Sequence, residues 1–220
     1  AASWAFYAEP AAEEHTSALP LREYLRRLCN LVIGDRNFLR FVLIWGGVNF
    51  AYMGPAFFPT YAAKHFHLPD SAAAWCGILL FLPGAATSLL WGRVGEKRGY
   101  LGLCTIAAFI GPLACLVAMG APSWSLFIPA LLLAGLGRSL SGVATNNIVI
   151  ESSPEQDRLG YIAVANILIT VPFGVSAPLG GWLADRFSYP FLFALSAAIF
   201  VAGGAALAAL VRDPRRQSPA

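Results

Sequence analysis

Five stretches of the chain contain no Asp, Glu, Lys or Arg, and each is long enough to cross the hydrocarbon core of a bilayer. They cover residues 41–63, 71–92, 99–137, 159–184 and 187–211. A membrane-spanning helix needs roughly 20 mostly apolar residues. Charged residues make up only 12% of the chain and apolar residues 57%, whereas soluble domains carry roughly 25% charged residues. Burying every stretch in a soluble core is implausible at this length, so the sequence predicts an integral membrane protein.

The longest uncharged stretch, 99–137, is about twice as long as one span requires. Near its middle lies Gly120-Ala-Pro-Ser-Trp124, a turn-forming cluster. We interpret this stretch as two spans joined by a tight hairpin, with the second span continuing to Ile150. The prediction is therefore an all-α membrane protein with six transmembrane helices, at about 39–62, 72–91, 101–119, 125–150, 161–183 and 190–211.

The basic residues predict how these spans are oriented. Six spans put the N-terminal segment, the 92–100 loop, the 151–160 loop and the C-terminal tail on one side. That side holds 12 basic residues and the other side only Lys64 and Arg186, with Arg138 inside a span. Short cytoplasmic loops carry an excess of Lys and Arg. We therefore expect a protein of the cell membrane (plasma or inner membrane) with both termini on the cytoplasmic side.

A nonapeptide occurs twice, once after the second span and once after the fifth. Gly92-Arg-Val-Gly-Glu-Lys-Arg-Gly-Tyr100 and Gly181-Trp-Leu-Ala-Asp-Arg-Phe-Ser-Tyr189 share the pattern Gly, any, aliphatic, small, acid, base, any, small, Tyr. Its place in two successive three-helix units indicates an internal duplication. Three is an odd number of spans, so the two copies have opposite orientations in the membrane. Inverted repeats of this kind are found in many secondary transporters.

Four segments, in this order, resemble motifs of the major facilitator superfamily. Gly92 to Gly99 is similar to the family's loop signature at its second occurrence, between helices eight and nine, with Glu96 in place of the family's Asp. Gly135-Leu-Gly-Arg-Ser-Leu-Ser-Gly142 resembles the Arg- and Gly-bearing pattern of helices four and ten. Ser153-Pro-Glu-Gln-Asp-Arg158 looks like the loop that follows it, and Ala177-Pro-Leu-Gly-Gly-Trp182 resembles the end of helix eleven.

This resemblance implies that the chain is the C-terminal half of a twelve-helix transporter. Residues 1–38 would be the end of the preceding helix, the central cytoplasmic loop and an amphipathic helix, 39–212 the six-helix bundle, and 213–220 a cytoplasmic tail. The apolar positions that predict the amphipathic helix, Leu21 to Val32, also fit a charged helix packed on its neighbours. The chain begins Ala-Ala-Ser and not with Met, which favours part of a longer chain. Its expected partners are the bilayer, a small-molecule substrate and the N-terminal six-helix half, with no nucleic acid.

Arg138 is the strongest candidate for a functional residue inside a span. It lies near the centre of the fourth span, where a charge costs about 2.5–3.5 kcal/mol and therefore needs a partner or a water-filled cavity. Ser141 and Thr145 share its helix face by their spacing. Two interpretations stay open, a site for an anion or a coupled proton, and an arginine that braces the helix by binding neighbouring carbonyls.

Further substrate-binding candidates lie in the first and fifth spans. Asn49 and Tyr52 share a face of the first span, which by the resemblance lines the central cavity, and Asn166 is a weaker candidate in the fifth span. Hydrogen bonding between helices is the alternative role for all three.

The gating loop that the resemblance implies consists of Gly92, Glu96, Lys97, Arg98 and Gly99. In the family, the acid at the position of Glu96 caps a helix N-terminus of the other half, and breaking that contact accompanies the switch between inward-open and outward-open states. An ordinary solvated turn is the alternative.

The sequence predicts neither an enzyme nor a metal or cofactor protein. No His, Asp or Glu lies in the middle of a span, so an intramembrane hydrolase lacks its base or paired acids. His65 and His67 form a weak metal motif in a loop, and the four cysteines form no CxxC pair. The predicted function is transport of a small solute by alternating access, and the alternative is a channel or a structural membrane subunit.

Overall fold

The computed structural model describes residues 34–69 and 71–216. The predicted amphipathic helix at 21–32 and Cys29 lie outside the described residues. The described residues form helices and no strand, and six of these helical segments are long and apolar enough to cross a membrane. The prediction of an all-α protein with six transmembrane helices is confirmed.

The first span consists of three short helices, and each later span is a single helix. The helices are α1 Arg36–Phe50, α2 Met53–Ala56 and α3 Phe58–His65 in the first span, followed by α4 Ser71–Arg98, α5 Tyr100–Gly120, α6 Trp124–Ser152, α7 Arg158–Arg186 and α8 Tyr189–Leu210.

Prolines explain the interruptions of the first span. Pro55 and Pro59 have no N–H to donate to a preceding carbonyl, and the helix is broken at Ala51–Tyr52 and again at Phe57. The break places Tyr52 between α1 and α2, near the middle of the first span. At the start of α1, the Asp35 carboxylate caps the helix by accepting hydrogen bonds from the backbone N–H groups of Asn37 and Phe38.

Most of the repeated nonapeptide is helical and not a loop. α4 continues through Arg98, so the turn to α5 consists of Gly99 alone, which has φ +87°, a conformation that glycine adopts without strain. Lys97 and Arg98 stabilise this long helix because cations in the last turn interact favourably with the helix dipole. In the second copy the helix ends at Arg186, and the Ser188 hydroxyl caps α8.

The two three-helix units pack against each other through equivalent glycines. Gly46 and Gly135 are separated by the same number of residues as Gly92 and Gly181, which begin the two copies of the nonapeptide. We call this spacing the repeat separation. A Cβ on Gly46 would lie 2.7 Å from the Leu168 carbonyl oxygen of α7, and one on Gly135 would collide with the Leu80 carbonyl oxygen of α4. The first helix of each unit therefore crosses the second helix of the other unit, as an inverted repeat requires.

Prolines at equivalent positions of α4 and α7 contribute to these crossings. Pro83 and Pro172 have the same separation as the glycine pair. Pro172 cannot donate to the carbonyl four residues earlier, which is the Leu168 carbonyl that faces Gly46. Close packing of two backbones contributes strongly to helix association in lipid, because the surrounding acyl chains are as apolar as the side chains.

The third helices of the two units, α5 and α8, also contact each other through residues at equivalent positions. Gly111 of α5 and Phe200 of α8 have the repeat separation, and a Cβ on Gly111 would lie 2.8 Å from the Phe200 ring. Contact between equivalent residues is expected on a pseudo-two-fold axis. The core divides into two clusters along this bundle, one around Trp45 and Phe41 and the other around Phe58 and Phe193.

Replacing Gly135 with Ala in the full-length protein is expected to lower its stability by about 1–3 kcal/mol, because the added methyl group must displace the α4 backbone. Gly142→Ala on the same helix is the matched control, since nothing lies within 4 Å of its Cβ position. At an open position within a helix, alanine stabilises the helix by roughly 1 kcal/mol relative to glycine. The control substitution should therefore leave the stability unchanged or raise it. Thermal unfolding in detergent measures both, and equal midpoints would contradict the close crossing.

Candidate functional site

Arg138 lies at the midpoint of α6 and is exposed on the face of the bundle between α4 and α7. Its guanidinium carbon lies 4.9 Å from the ring centre of Phe173 and 5.8 Å from that of Tyr52. It makes no hydrogen bond or ion pair with any residue that the structure describes. Two cation–π contacts contribute about 0.5–2 kcal/mol each, which offsets part of the roughly 2.5–3.5 kcal/mol cost of a charge at this depth.

Two cavities meet at Arg138 and Phe173, which line both of them. The larger has a volume of about 600 Å³ and lies toward the Trp124 end of α6. Apart from Tyr52, Arg138 and Ser139 its wall is apolar, and it includes Pro55, Ala56, Leu80, Phe81, Gly84, Ala85, Ala134 and Gly135. The smaller, of about 370 Å³, lies toward the Ser152 end, and its polar wall includes Asn49, Ser141, Thr145, Asn146 and Thr170. Side chains of both units therefore surround one charged centre.

A hydrogen-bond chain orders the polar cavity. The buried Trp45 indole donates to the Thr145 hydroxyl at 2.6 Å, and that hydroxyl donates to the Ser141 carbonyl, also at 2.6 Å. The Asn49 amide donates to the Trp45 carbonyl at 2.9 Å. These bonds connect α1 to α6 and leave the Asn49 carbonyl oxygen at the cavity wall. The buried Ser141 hydroxyl is hydrogen-bonded to the Tyr52 side chain.

The structure brings most of the predicted substrate-binding residues together. Asn49, Arg138, Ser141 and Thr145 line the polar cavity, and Tyr52 lines the larger one. Asn166 is exposed on α7 and lines neither. Of the two interpretations of Arg138, the structure shows none of the bonds to neighbouring carbonyls that a brace would make within the described residues.

Sequence reasoning missed the aromatic and apolar wall of the larger cavity. Gly84 and Phe173 line it from α4 and α7, and each directly follows a proline, Pro83 or Pro172, at the repeat separation. Extending the repeat beyond the nonapeptide would have placed both residues at equivalent positions. The same extension pairs Asn49 with Arg138, so the two polar groups occupy equivalent sites of the first and fourth spans.

The segment after α8 contacts the ends of four other helices, α1, α4, α5 and α6. Asn37 exchanges two hydrogen bonds of 2.9 Å with the Arg212 backbone. Arg215 donates to the Glu151 carboxylate at the end of α6 and, at 2.7 Å, to the Glu96 carbonyl. It also covers the Tyr100 ring at 5.5 Å. The hydrogen bond to Glu151 is the main reason that the pKa of Arg215 is raised. We call this end of the bundle the tail end.

Two residues of the predicted gating loop, Glu96 and Gly99, contact this cluster. The carbonyl of Glu96 accepts from Arg215, while its side chain is exposed. Gly99 faces Asp213 so closely that a Cβ would lie 2.9 Å from the carboxylate. At the opposite end, Lys64 donates to the Tyr189 hydroxyl at 3.3 Å. The two tyrosines that close the repeated nonapeptide thus lie at opposite ends of the bundle, each beside a cation.

His65 belongs to an aromatic contact, with its ring stacked 4.9 Å from that of Tyr61. Within 34–69 and 71–216, no group of three or more His, Cys, Asp or Glu side chains is arranged to hold a metal ion.

Known proteins share this sequence pattern. A model of the Major Facilitator Superfamily matches residues 39–220. The MFS-type transporter TOXA of Cochliobolus carbonum is 29% identical over 158 residues, covering 70% of this chain and 28% of that protein. The rubrofusarin-specific efflux pump aurT of Gibberella zeae is 24% identical over 138 residues, covering 63% of this chain and 25% of that protein. The matched part of the chain thus spans about a quarter of the length of these relatives.

Replacing Arg215 with Ala in the full-length protein is expected to release the segment after α8. Exposed ion pairs are worth up to about 1 kcal/mol, so hydrogen exchange of the amides of residues 211–213 and 215 should accelerate by about twofold to fivefold. Arg212→Ala is the matched control, because Arg212 is held by its backbone and not its side chain. Equal exchange in the two variants would contradict the fastening role of the Arg215 side chain.

Proposed function

Because the chain belongs to the Major Facilitator Superfamily, we propose that it forms one six-helix half of a secondary carrier. In this proposal a second six-helix half of the same protein packs on the face that carries Arg138. The two halves rock against each other, so that a small solute bound between them faces one side of the membrane and then the other.

The unequal burial of the helices is the observation that carries this proposal. Within the most apolar stretch of each span, 61% of the residues are buried in the first span, but only 6% in α4 and 17% in α7. α4 and α7 are the second helices of the two repeats. Large side chains on them are exposed, including Phe81 at 76% and Leu89 at 79%. Two symmetry-related helices left on one face are suited to contact another bundle.

The position of the cavities agrees with a solute path on that face. α4 and α7 flank the opening and supply Phe81, Gly84 and Phe173 to the wall, while α1 and α6 supply the polar groups behind them. A volume of about 600 Å³ lies within the range of about 300–1,000 Å³ that small-molecule sites occupy. A second half would close one end of this space at a time.

We further propose that the tail end faces the cytoplasm and holds the gating loop. The basic residues Arg93, Lys97, Arg98, Arg212 and Arg215 gather there, which the positive-inside rule favours for the inner side of a cell membrane. The exposed Glu96 carboxylate at the end of α4 is available to a helix N-terminus of the second half, which a negative charge stabilises. Loss of that contact would accompany the opening of the tail end.

Liposomes containing the full-length protein test the carrier proposal. Labelled glucose, glycine, tetraphenylphosphonium and naphthalene-2-sulfonate would be offered as chemically distinct solutes, with protein-free liposomes as the control. At least one should enter with a saturable rate, and that rate should rise when the same unlabelled solute is present inside. Flux that grows linearly with concentration and ignores the internal solute would indicate a pore, and flux of no solute above the control would also contradict the proposal.

A further inference from the structure

We propose that the solute of this site is an amphipathic organic anion, with its acidic group at Arg138 and its aromatic or apolar body in the larger cavity. This inference rests on the proposed function and names the chemical class of solute that the site takes.

The charge of the ligand follows from the isolation of Arg138. Its guanidinium touches the faces of Phe173 and Tyr52 and forms no ion pair with any described residue. Aromatic faces attract a cation but offer no oxygen acceptors for its five N–H donors. A carboxylate, sulfonate or phosphate group can accept two of these bonds side by side. Within the described residues the guanidinium meets aromatic faces, and a planar anionic group is the ligand that matches its donors.

The body of the ligand follows from the wall of the larger cavity. Leu80, Phe81 and Ala85 line it from α4, and the only polar side chains are Tyr52, Arg138 and Ser139. A sugar would leave most of its hydroxyl groups without partners on such a wall, which is costly in a low-dielectric site. A small inorganic anion would leave most of the roughly 600 Å³ unfilled. An aromatic ring system fills apolar volume and stacks on Phe81 and Phe173.

The orientation of the ligand follows from the junction of the two cavities. Arg138 and Phe173 line both, so the charged group binds where apolar wall changes to polar wall. Oxygens of the acid that do not reach Arg138 face the polar cavity, where the second N–H of the Asn49 amide, the Asn146 amide and water complete their hydrogen bonds. The apolar body points toward the Trp124 end of α6.

Equilibrium dialysis of the detergent-solubilised full-length protein tests this assignment with three probes. Naphthalene-2-sulfonate has both the ring and the charge, naphthalene-2-sulfonamide has the same ring without the charge, and methanesulfonate has the charge without the ring. A charge-assisted bidentate contact predicts that the first probe binds at least about tenfold more tightly than either of the others.

Variants assign the preference to named side chains. Arg138→Gln should bring the sulfonate to the affinity of the sulfonamide, and Arg138→Lys should retain part of the difference, because it keeps the charge and loses the planar fork. Phe81→Ser should weaken both naphthalene probes alike. Arg186→Gln, in the turn at the end opposite the tail end, is the matched control that removes a charge far from the cavities and should leave all three affinities unchanged.

Equal binding of the sulfonate and the sulfonamide by the natural protein, or an undiminished preference in Arg138→Gln, would overturn the inference. If Arg138→Gln does not fold, Ala85→Asp replaces it, since a carboxylate on the cavity wall should reject the sulfonate and spare the sulfonamide. The carrier proposal fails separately. Saturable transport of glucose or tetraphenylphosphonium without anion preference would contradict only the assignment of an anionic solute. Selective anion binding together with pore-like flux would contradict only the carrier proposal.

Discussion

Backbone packing at two glycines holds this bundle together around its centre. Gly46 lies against the Leu168 carbonyl and Gly135 against the Leu80 carbonyl, at equivalent places of the two repeats. In lipid, exclusion of water does not drive helices together, so close backbone contact of this kind must supply much of the attraction. These crossings fix where the first and fourth spans lie, and every polar group of the candidate site is placed by those two spans or by their neighbours α4 and α7.

The position of Arg138 is a consequence of that packing. It lies one turn beyond Gly135 on α6, just as Asn49 lies one turn beyond Gly46 on α1. The crossings direct Arg138 to the space between α4 and α7 and Asn49 to the polar cavity beside α7. The rings of Phe173 and Tyr52 compensate part of the arginine's charge. A salt bridge within the described residues would have made the arginine a structural element. Among the described residues the guanidinium contacts the rings of Phe173 and Tyr52 instead, and the cavity walls define what can approach it.

The sequence was sufficient for the number and order of the spans, because uncharged runs of this length have no other stable environment. It also identified Arg138, Ser141 and Thr145 as one face, since helical spacing alone decides that. It did not predict the interruption of the first span at Ala51–Tyr52 or the extension of α4 through Arg98. Both depend on the competition between local helix breaking and tertiary packing. Asn166 was chosen for its polarity, but the rotation of α7 is set by the contact between Leu168 and Gly46, and that rotation turns Asn166 away from the cavities.

The apolar cavity could not have been predicted from residue type, because Phe81 and Ala85 have the same character as any residue facing lipid. The fastening of Arg215 to Glu151 joins residues far apart in sequence and has no local signature. In contrast, the repeat separation found from the nonapeptide is enough to predict three equivalent pairs, Gly46/Gly135, Asn49/Arg138 and Pro83/Pro172. Repeat symmetry thus carries more information about this site than periodicity does.

In the proposed carrier, one face of the bundle, between α4 and α7, opens to the two sides of the membrane in turn. To test this, an impermeant thiol reagent would label single cysteines introduced into the full-length protein, one at Phe81 on the apolar cavity and one at Asn146 on the polar cavity, and the two rates would be compared. Conditions that raise the rate at one position should lower it at the other. Rates that rise and fall together at both positions would contradict alternating exposure and point to a continuous pore.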